Sequence, residues 1–200
     1  MIEVRLEVPL IRVGDQVRVS GWLVNLTEKH IDDFETFWKE RLRPTADGDQ
    51  YWDWEQKKRV YLQRDSAMYE GYAIEHEQVT QGLMLIKTGG HRSWVDPERR
   101  LVYVHSLATA PWNRLDNPEP IGFRAVGRAL LKFAQFRSEA LGYGGLVGLH
   151  SLPDAELFYR KMEMSDQGLD PGKENLRYFE WYRPRPNWFE EYGVNLDTDA

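Results

Sequence analysis

Between Leu101 and Leu149 the chain carries two apolar, strand-like runs joined by one amphipathic helix. Leu101–Thr109 (LVYVHSLAT) is rich in β-branched and aromatic residues and closes at Ala110-Pro111. Val126, Leu130, Phe133, Ala134 and Leu141 then recur at helical spacing from about Ala125 to Leu141, with Lys132, Arg137 and Glu139 toward water. Gly142 ends the helix as a C′ residue, and Leu146-Val-Gly-Leu149 reads as a short buried strand. A strand–helix–strand unit in one sheet crosses over right-handed, so this second strand must lie parallel to the first.

The start of that helix reads Arg124-Ala-Val-Gly127-Arg-Ala129, an Arg-x-x-Gly-x-Ala spacing. Small residues let backbone approach a ligand closely. The first turn of a helix also offers unpaired N–H groups at the positive end of its dipole. Arg124 and Arg128 add cationic side chains, and the whole reads as a cradle for a diphosphate.

Downstream, Pro153 suits a helix first turn, and Asp154–Met162 is expected to be helical with Phe158 and Tyr159 in its middle. Leu176–Tyr182 reads as a closing strand. Strand, Arg-x-x-Gly-x-Ala helix, second strand and Phe-Tyr helix together resemble the GNAT superfamily, the acetyl-CoA-dependent N-acetyltransferases, as a bacterial-type single-domain member. The resemblance covers about 68–182. It implies an α/β fold with a mixed, mostly antiparallel central sheet, a V-shaped splay between the two parallel strands, and helices on both faces. It also implies acetyl-CoA as co-substrate, held by Arg124, Ala125, Val126, Gly127, Arg128 and Ala129 at the diphosphate. Backbone at Leu107, Ala108 and Thr109 would hold the pantetheine arm and polarise the thioester carbonyl, and Ser151 would add a hydrogen bond. Tyr159 stands where relatives keep a general acid.

The remainder of the chain fits the same frame. Alternation over 2–13 and 16–24 predicts a hairpin through Gly14-Asp15. Thr27 is a candidate N-cap for a helix to Leu42, apolar along Ile31, Phe34, Trp38 and Leu42. Pro44 stops it, 46–49 form a turn, and a second helix is expected over Gln50–Leu62. In GNAT folds these early helices wall the acceptor groove, so Tyr51, Trp52 and Trp54 become candidate acceptor contacts with Tyr103 and Trp112; Asp53 and Glu55 would attract a cationic amine. Met68–Glu75 and Val79–Ile86 read as antiparallel strands turning near His76-Glu77. His91, in the following connection, is expected to face water. Strict alternation along Leu101–Thr109 puts Tyr103, His105 and Leu107 on one face and Val102, Val104, Ser106 and Ala108 on the other. Residues 110–122 form a long, proline-rich connection that would fold over cofactor or acceptor.

Composition narrows the chemistry. With no cysteine in 200 residues, disulfides and thiolate catalysis are excluded. Thirty-two acids against 26 bases give a net charge of −6, which argues against non-specific nucleic-acid binding. No run approaches the ~18 apolar residues of a membrane span, the first ten residues do not form a signal peptide, and the five histidines show no metal-ligand spacing. The expectation is a cytoplasmic monomer or homodimer without nucleic-acid, membrane or metal partners: one acyltransferase domain over 1–182 and an irregular tail over 183–200.

Acetyl transfer to an amine needs a base, a stabilised oxyanion and an acid for the thiolate. Tyr159 is assigned the acid and backbone near Leu107 the oxyanion. His105 is assigned the base, with Tyr103, His150 or a water chain to Glu70 or Glu75 as alternatives. The acceptor would be a primary amine of a small molecule, peptide or protein, attacking directly in a ternary complex. The competing reading is an acyl-CoA-binding or scaffold module that keeps the fold without turnover.

Overall fold

The computed structural model describes residues 3–42, 48–114 and 122–182. The expectations for 43–47, for 115–121 and for the tail at 183–200 lie outside the described residues.

The described residues build one mixed nine-stranded sheet. In chain order the strands are β1 (Arg5–Arg12), β2 (Arg18–Asn25), β3 (Tyr69–His76), β4 (Val79–Lys87), β5 (Val102–Thr109), β6 (Phe123–Arg124), β7 (Val147–Ser151), β8 (Ser165–Asp170) and β9 (Leu176–Trp181). Across the sheet the order is β6-β1-β2-β3-β4-β5-β7-β9-β8. Neighbours run antiparallel except β5 and β7, which are parallel as the crossover demands. The helices are α1 (Glu28–Asp33), α2 (Trp54–Lys57), α3 (Val126–Ala140) and α4 (Glu156–Lys161).

One face of the sheet is covered by α3 and α4, whose Val126, Leu130, Phe133 and Tyr159 pack on Tyr72, Ile74, Ile86, Val104, Leu149 and Phe179. The amphipathic spacing accounts for α3, and Gly142 (φ +76°) ends it in the left-handed region. The N–H groups of Gly142 and Tyr143 bond back to the carbonyls of Glu139 (2.9 Å) and Ser138 (2.8 Å), a Schellman closure. Arg137 departs from its expected place in water. It is buried, with a two-pronged bond to Glu70 (2.9 and 2.7 Å) that compensates its charge.

The opposite face is covered by the α1–α2 region. Ile31, Phe34, Trp38 and Leu42 are all buried, as their spacing predicts. The helix itself is less regular than that spacing suggests: α1 passes into a π-helical segment over Phe34–Trp38 and a 3₁₀ turn over Lys39–Arg41. At its start the Thr27 N–H donates to His30 Nδ1 (2.9 Å), whose far nitrogen reaches Glu75 (3.1 Å). The second predicted helix is also broken up, into a 3₁₀ turn Gly48–Tyr51, the short α2 and a π-helical segment Lys58–Arg64. Asp53 separates the first two because its side chain caps α2, accepting from the Gln56 N–H (2.7 Å).

Candidate active site

The parallel strands β5 and β7 pair over three residues only, Val102–Val104 against Val147–Leu149. Beyond them β5 stays with β4 as far as Thr109, and β7 stays with β9 as far as Ser151. The two strands therefore part in a V. Half the backbone groups of His105–Thr109 look into its opening, because β4 satisfies only one side of the strand.

A bulge sits at the fork. Leu85 pairs with Ser106 and Ile86 with Val104, leaving His105 as the extra residue. The bulge reverses the alternation beyond it and corrects the predicted faces. Leu107 joins Val102 and Val104 on the α3 side, while Ala108 packs under α1. Tyr103 and His105 remain on the face opposite α3, where His105 lies against Tyr61 (centroids 4.6 Å) and Tyr69 (6.1 Å).

α3 begins at the open end of the V. Ala125 caps it at φ +75°, a conformation that costs a non-glycine residue about 1 kcal/mol. The first N–H bonded back toward the helix start is that of Ala129, onto the Ala125 carbonyl (2.9 Å), which leaves the N–H groups of Val126, Gly127 and Arg128 for an anion. Arg124 and Arg128 are exposed and form no ion pair among the described residues. A Cβ on Gly127 would stand 3.3 Å from Phe158, 3.5 Å from Thr109 and 3.7 Å from Leu107. The bare side of that glycine thus keeps open the gap between α3, β5 and α4, so the residues present fit a ligand with a narrow arm and an anionic group. Ser151, on the other arm of the V, is buried and donates its hydroxyl to the Leu152 carbonyl (2.7 Å).

Tyr159 lies on the α4 side, 6% exposed, against Phe158 and Phe179. Burial, reinforced by Asp154 and Asp49, raises its pKa well above the phenolic range, so the group stays a proton donor. His105 behaves differently. Burial and then the nearby Lys57 lower its pKa to about 4, which makes it a neutral and weak base near pH 7.

A second constellation occupies the face opposite α3. The Tyr103 hydroxyl lies 2.9 Å from His150 Nδ1, and His150 Nε2 lies 2.9 Å from Asp170. A carboxylate only accepts, so Nε2 carries the imidazole proton and Nδ1 accepts from Tyr103. Burial lowers the His150 pKa and Asp170 opposes that shift; burial raises Tyr103 to about 12. His91 stacks flat on Tyr103 at 4.2 Å rather than facing water, with its pKa lowered to about 4 by burial and then by Lys87. Trp94 stacks on Tyr178 at 4.3 Å. The loop carrying both is anchored by buried Glu180, which accepts from the Ser93 hydroxyl, the Trp94 N–H (2.9 Å) and the Tyr178 hydroxyl (3.1 Å).

The aromatic residues singled out in the sequence separate into different places. Trp54 (1% exposed) and Trp112 (7%) belong to the core under α1; Trp54 packs on Phe34, and Trp112 donates to Gln81 (2.9 Å) while packing on Trp38. Tyr51 is 78% exposed. Trp52 is half-buried beneath Lys57, whose Nζ lies 4.8 Å from its ring. Only Tyr103 joins the cluster at the fork. Asp170, Lys57, Lys87 and Lys173 were not singled out, and His91 was expected to face water. Asp170 begins an Asp-Pro-Gly turn and caps it through the Gly172 N–H (2.8 Å), a local signal that marks the turn but not its contact with His150.

No protein-family model matches the chain, and no curated protein sequence does. Solved structures do match. The GNAT domain of S. lividans PAT superposes with a TM-score of 0.57 at 12% identity, over 88% of this chain and 96% of that one. PaiA N-acetyltransferase from Thermoplasma acidophilum, in complex with coenzyme A, gives 0.56 at 11% identity, over 84% and 100%. The Bacillus subtilis N-acetyltransferase YlbP, also with coenzyme A, gives 0.53 at 14% identity, over 90% and 100%. The chain has the fold of the GNAT N-acetyltransferases.

Proposed function

We propose that this protein transfers an acetyl group from acetyl-CoA to an amine. The observation that carries the reading is the V between β5 and β7 opening directly beside the free start of α3. Structural neighbours of the same fold hold coenzyme A. In this reading the N–H groups of Val126, Gly127 and Arg128 take the diphosphate, and the Arg124 and Arg128 side chains neutralise it. Backbone of Leu107–Thr109 holds the pantetheine arm. Acetyl-CoA supplies the acyl carbon already activated as a thioester.

The chain's own residues handle charge and protons around that carbon. Backbone N–H groups on β5 stabilise negative charge on the acyl oxygen. Tyr159, kept protonated by its burial, donates to the departing thiolate. The base is better placed in Tyr103–His150–Asp170 than in His105. The amine gives its proton to the Tyr103 oxygen while the Tyr103 proton passes to His150 Nδ1, and Asp170 holds the resulting imidazolium. Tyr103 begins and ends neutral.

Calorimetric titration with acetyl-CoA tests the first half, and acceptor-stimulated thiol release tests the second. Micromolar binding is expected, and Tyr159→Phe should lower kcat by about 100-fold or more with the acetyl-CoA Kd unchanged. Absent binding, or a fully active Tyr159→Phe, would refute the corresponding half.

A further inference from the structure

Three lysines stand around the side of the fork opposite α3, in a chain whose net charge is −6. Lys87 stands opposite Tyr103 in the β4–β5 register, and cross-strand partners share a face. Its Nζ lies 5.5 Å over the ring of Tyr69, its partner on β3. Lys57 lies over Trp52 at the end of α2 and acts on His105. Lys173 comes from the 3₁₀ turn Pro171–Lys173 that follows Asp170. Among the described residues none of these three lysines forms an ion pair. Their charges are felt at the fork: Lys57, Lys173 and Lys87 all push His105 toward its neutral form, and Lys87 and Lys173 do the same to His91.

The carboxylates nearby keep their charge but are engaged with other groups of the protein. Asp170 accepts from His150 and from the Gly172 N–H. Glu180 is buried among three donors. Asp53 caps α2. Asp65 acts on Tyr69 from the exposed end of the π-helical segment. An ammonium ion entering alone would find these carboxylates already engaged and the three lysines unpaired, with aromatic rings of Tyr61, Tyr69, His91 and Tyr103 between.

We propose that the acceptor is an amine that carries its own carboxylate, an amino acid or a comparable anionic amine, rather than a polyamine. The carboxylate meets Lys87 and Lys57, and the amino group is left beside the Tyr103 hydroxyl. The same lysines favour the neutral amine over the ammonium, which is the form that attacks. This inference rests on the acetyl-transfer reading and extends it to the acceptor.

The test uses acceptor pairs that differ by one carboxylate: L-tryptophan and tryptamine, L-phenylalanine and phenethylamine, L-lysine and cadaverine, with spermidine as a polyamine. Thiol release is followed with the full chain, after acetyl-CoA binding has been measured separately. The carboxylate-bearing member should be preferred by about tenfold or more in kcat/KM. Lys87→Met and Lys57→Met should each erode that preference while leaving the acetyl-CoA Kd and the melting temperature in place. Acetyl-CoA binding combined with equal or better use of the decarboxylated amines or spermidine, with no transfer to any carboxylate-bearing acceptor, or with a preference indifferent to both lysines, would overturn the inference alone. Absence of acetyl-CoA binding would overturn the acetyl-transfer reading and this inference with it.

Discussion

The two sides of the β5–β7 fork handle charge by opposite means. On the α3 side the groups offered to a ligand are mainly backbone: free N–H groups at one helix start and the open edge of one strand, beside two exposed arginines. On the other side they are side chains brought from separate elements, namely Tyr103 on β5, His150 on β7, Asp170 on β8, His91 in the loop after β4, and lysines from α2, β4 and the turn after β8. A backbone site tolerates many side chains but few changes of shape. A side-chain site tolerates changes of shape less critically at any one residue, but loses its chemistry when one member is replaced. The first should therefore fail through sterics and the second through protonation.

That contrast can be broken experimentally. The largest effect is expected for Gly127→Asp, which puts both a Cβ and a negative charge into the gap bounded by Phe158, Thr109 and Leu107. Acetyl-CoA affinity should fall about 100-fold or more, and titration of the folded variant would detect it. Unchanged affinity would move the cradle away from α3.

On the opposite side, His150→Gln and Asp170→Asn should lower kcat/KM by roughly 10- to 100-fold with acetyl-CoA binding intact. In the parent protein activity should fall as pH drops through the lowered His150 pKa, somewhere below 6.5. A pH–rate profile identical in parent and His150→Gln would remove His150 from the proton path.

The smallest effect concerns stability. His91 and His105 both titrate near 4 in the fold, against 6.5 for an unperturbed imidazole. The unfolded chain binds more protons between those values, so their contribution is complete above pH 6.5 and is lost as pH falls toward 4. His105→Phe should reduce the acid-induced loss of stability between pH 7 and 5 by about 1 kcal/mol, read from melting curves at both pH values. An equal loss in both proteins would mean that His105 is not held neutral.

Much of the α3 side of the fork was legible because its determinants are local. Arg124–Ala129 is contiguous, the apolar spacing of α3 and its Gly142 stop lie in one segment, and crossover handedness follows from chain order. The left-handed Ala125 left no local signal, since nothing about alanine announces a positive φ. The opposite side was misread where pairing between distant segments decides. The bulge at His105 depends on the β4–β5 register and turned Leu107 to the other face. β8, with the sequence SDQGLD, lacks alternation because it is a half-buried edge strand with a register shift, and so Asp170 was not placed beside His150. Tryptophans offered as substrate contacts proved to be ring-on-ring core at Trp54 and Trp112, since a large aromatic contributes its area equally well to either setting.

The sequence by itself determined the parallel pair, its crossover helix and where that helix starts and stops, because periodicity, glycine and helix-end chemistry act over a few residues. Only the tertiary structure decided which side chains share the fork. That outcome depends on strand register and on where β5 and β7 cease to pair, interactions between residues as far apart in sequence as Tyr103 and Asp170.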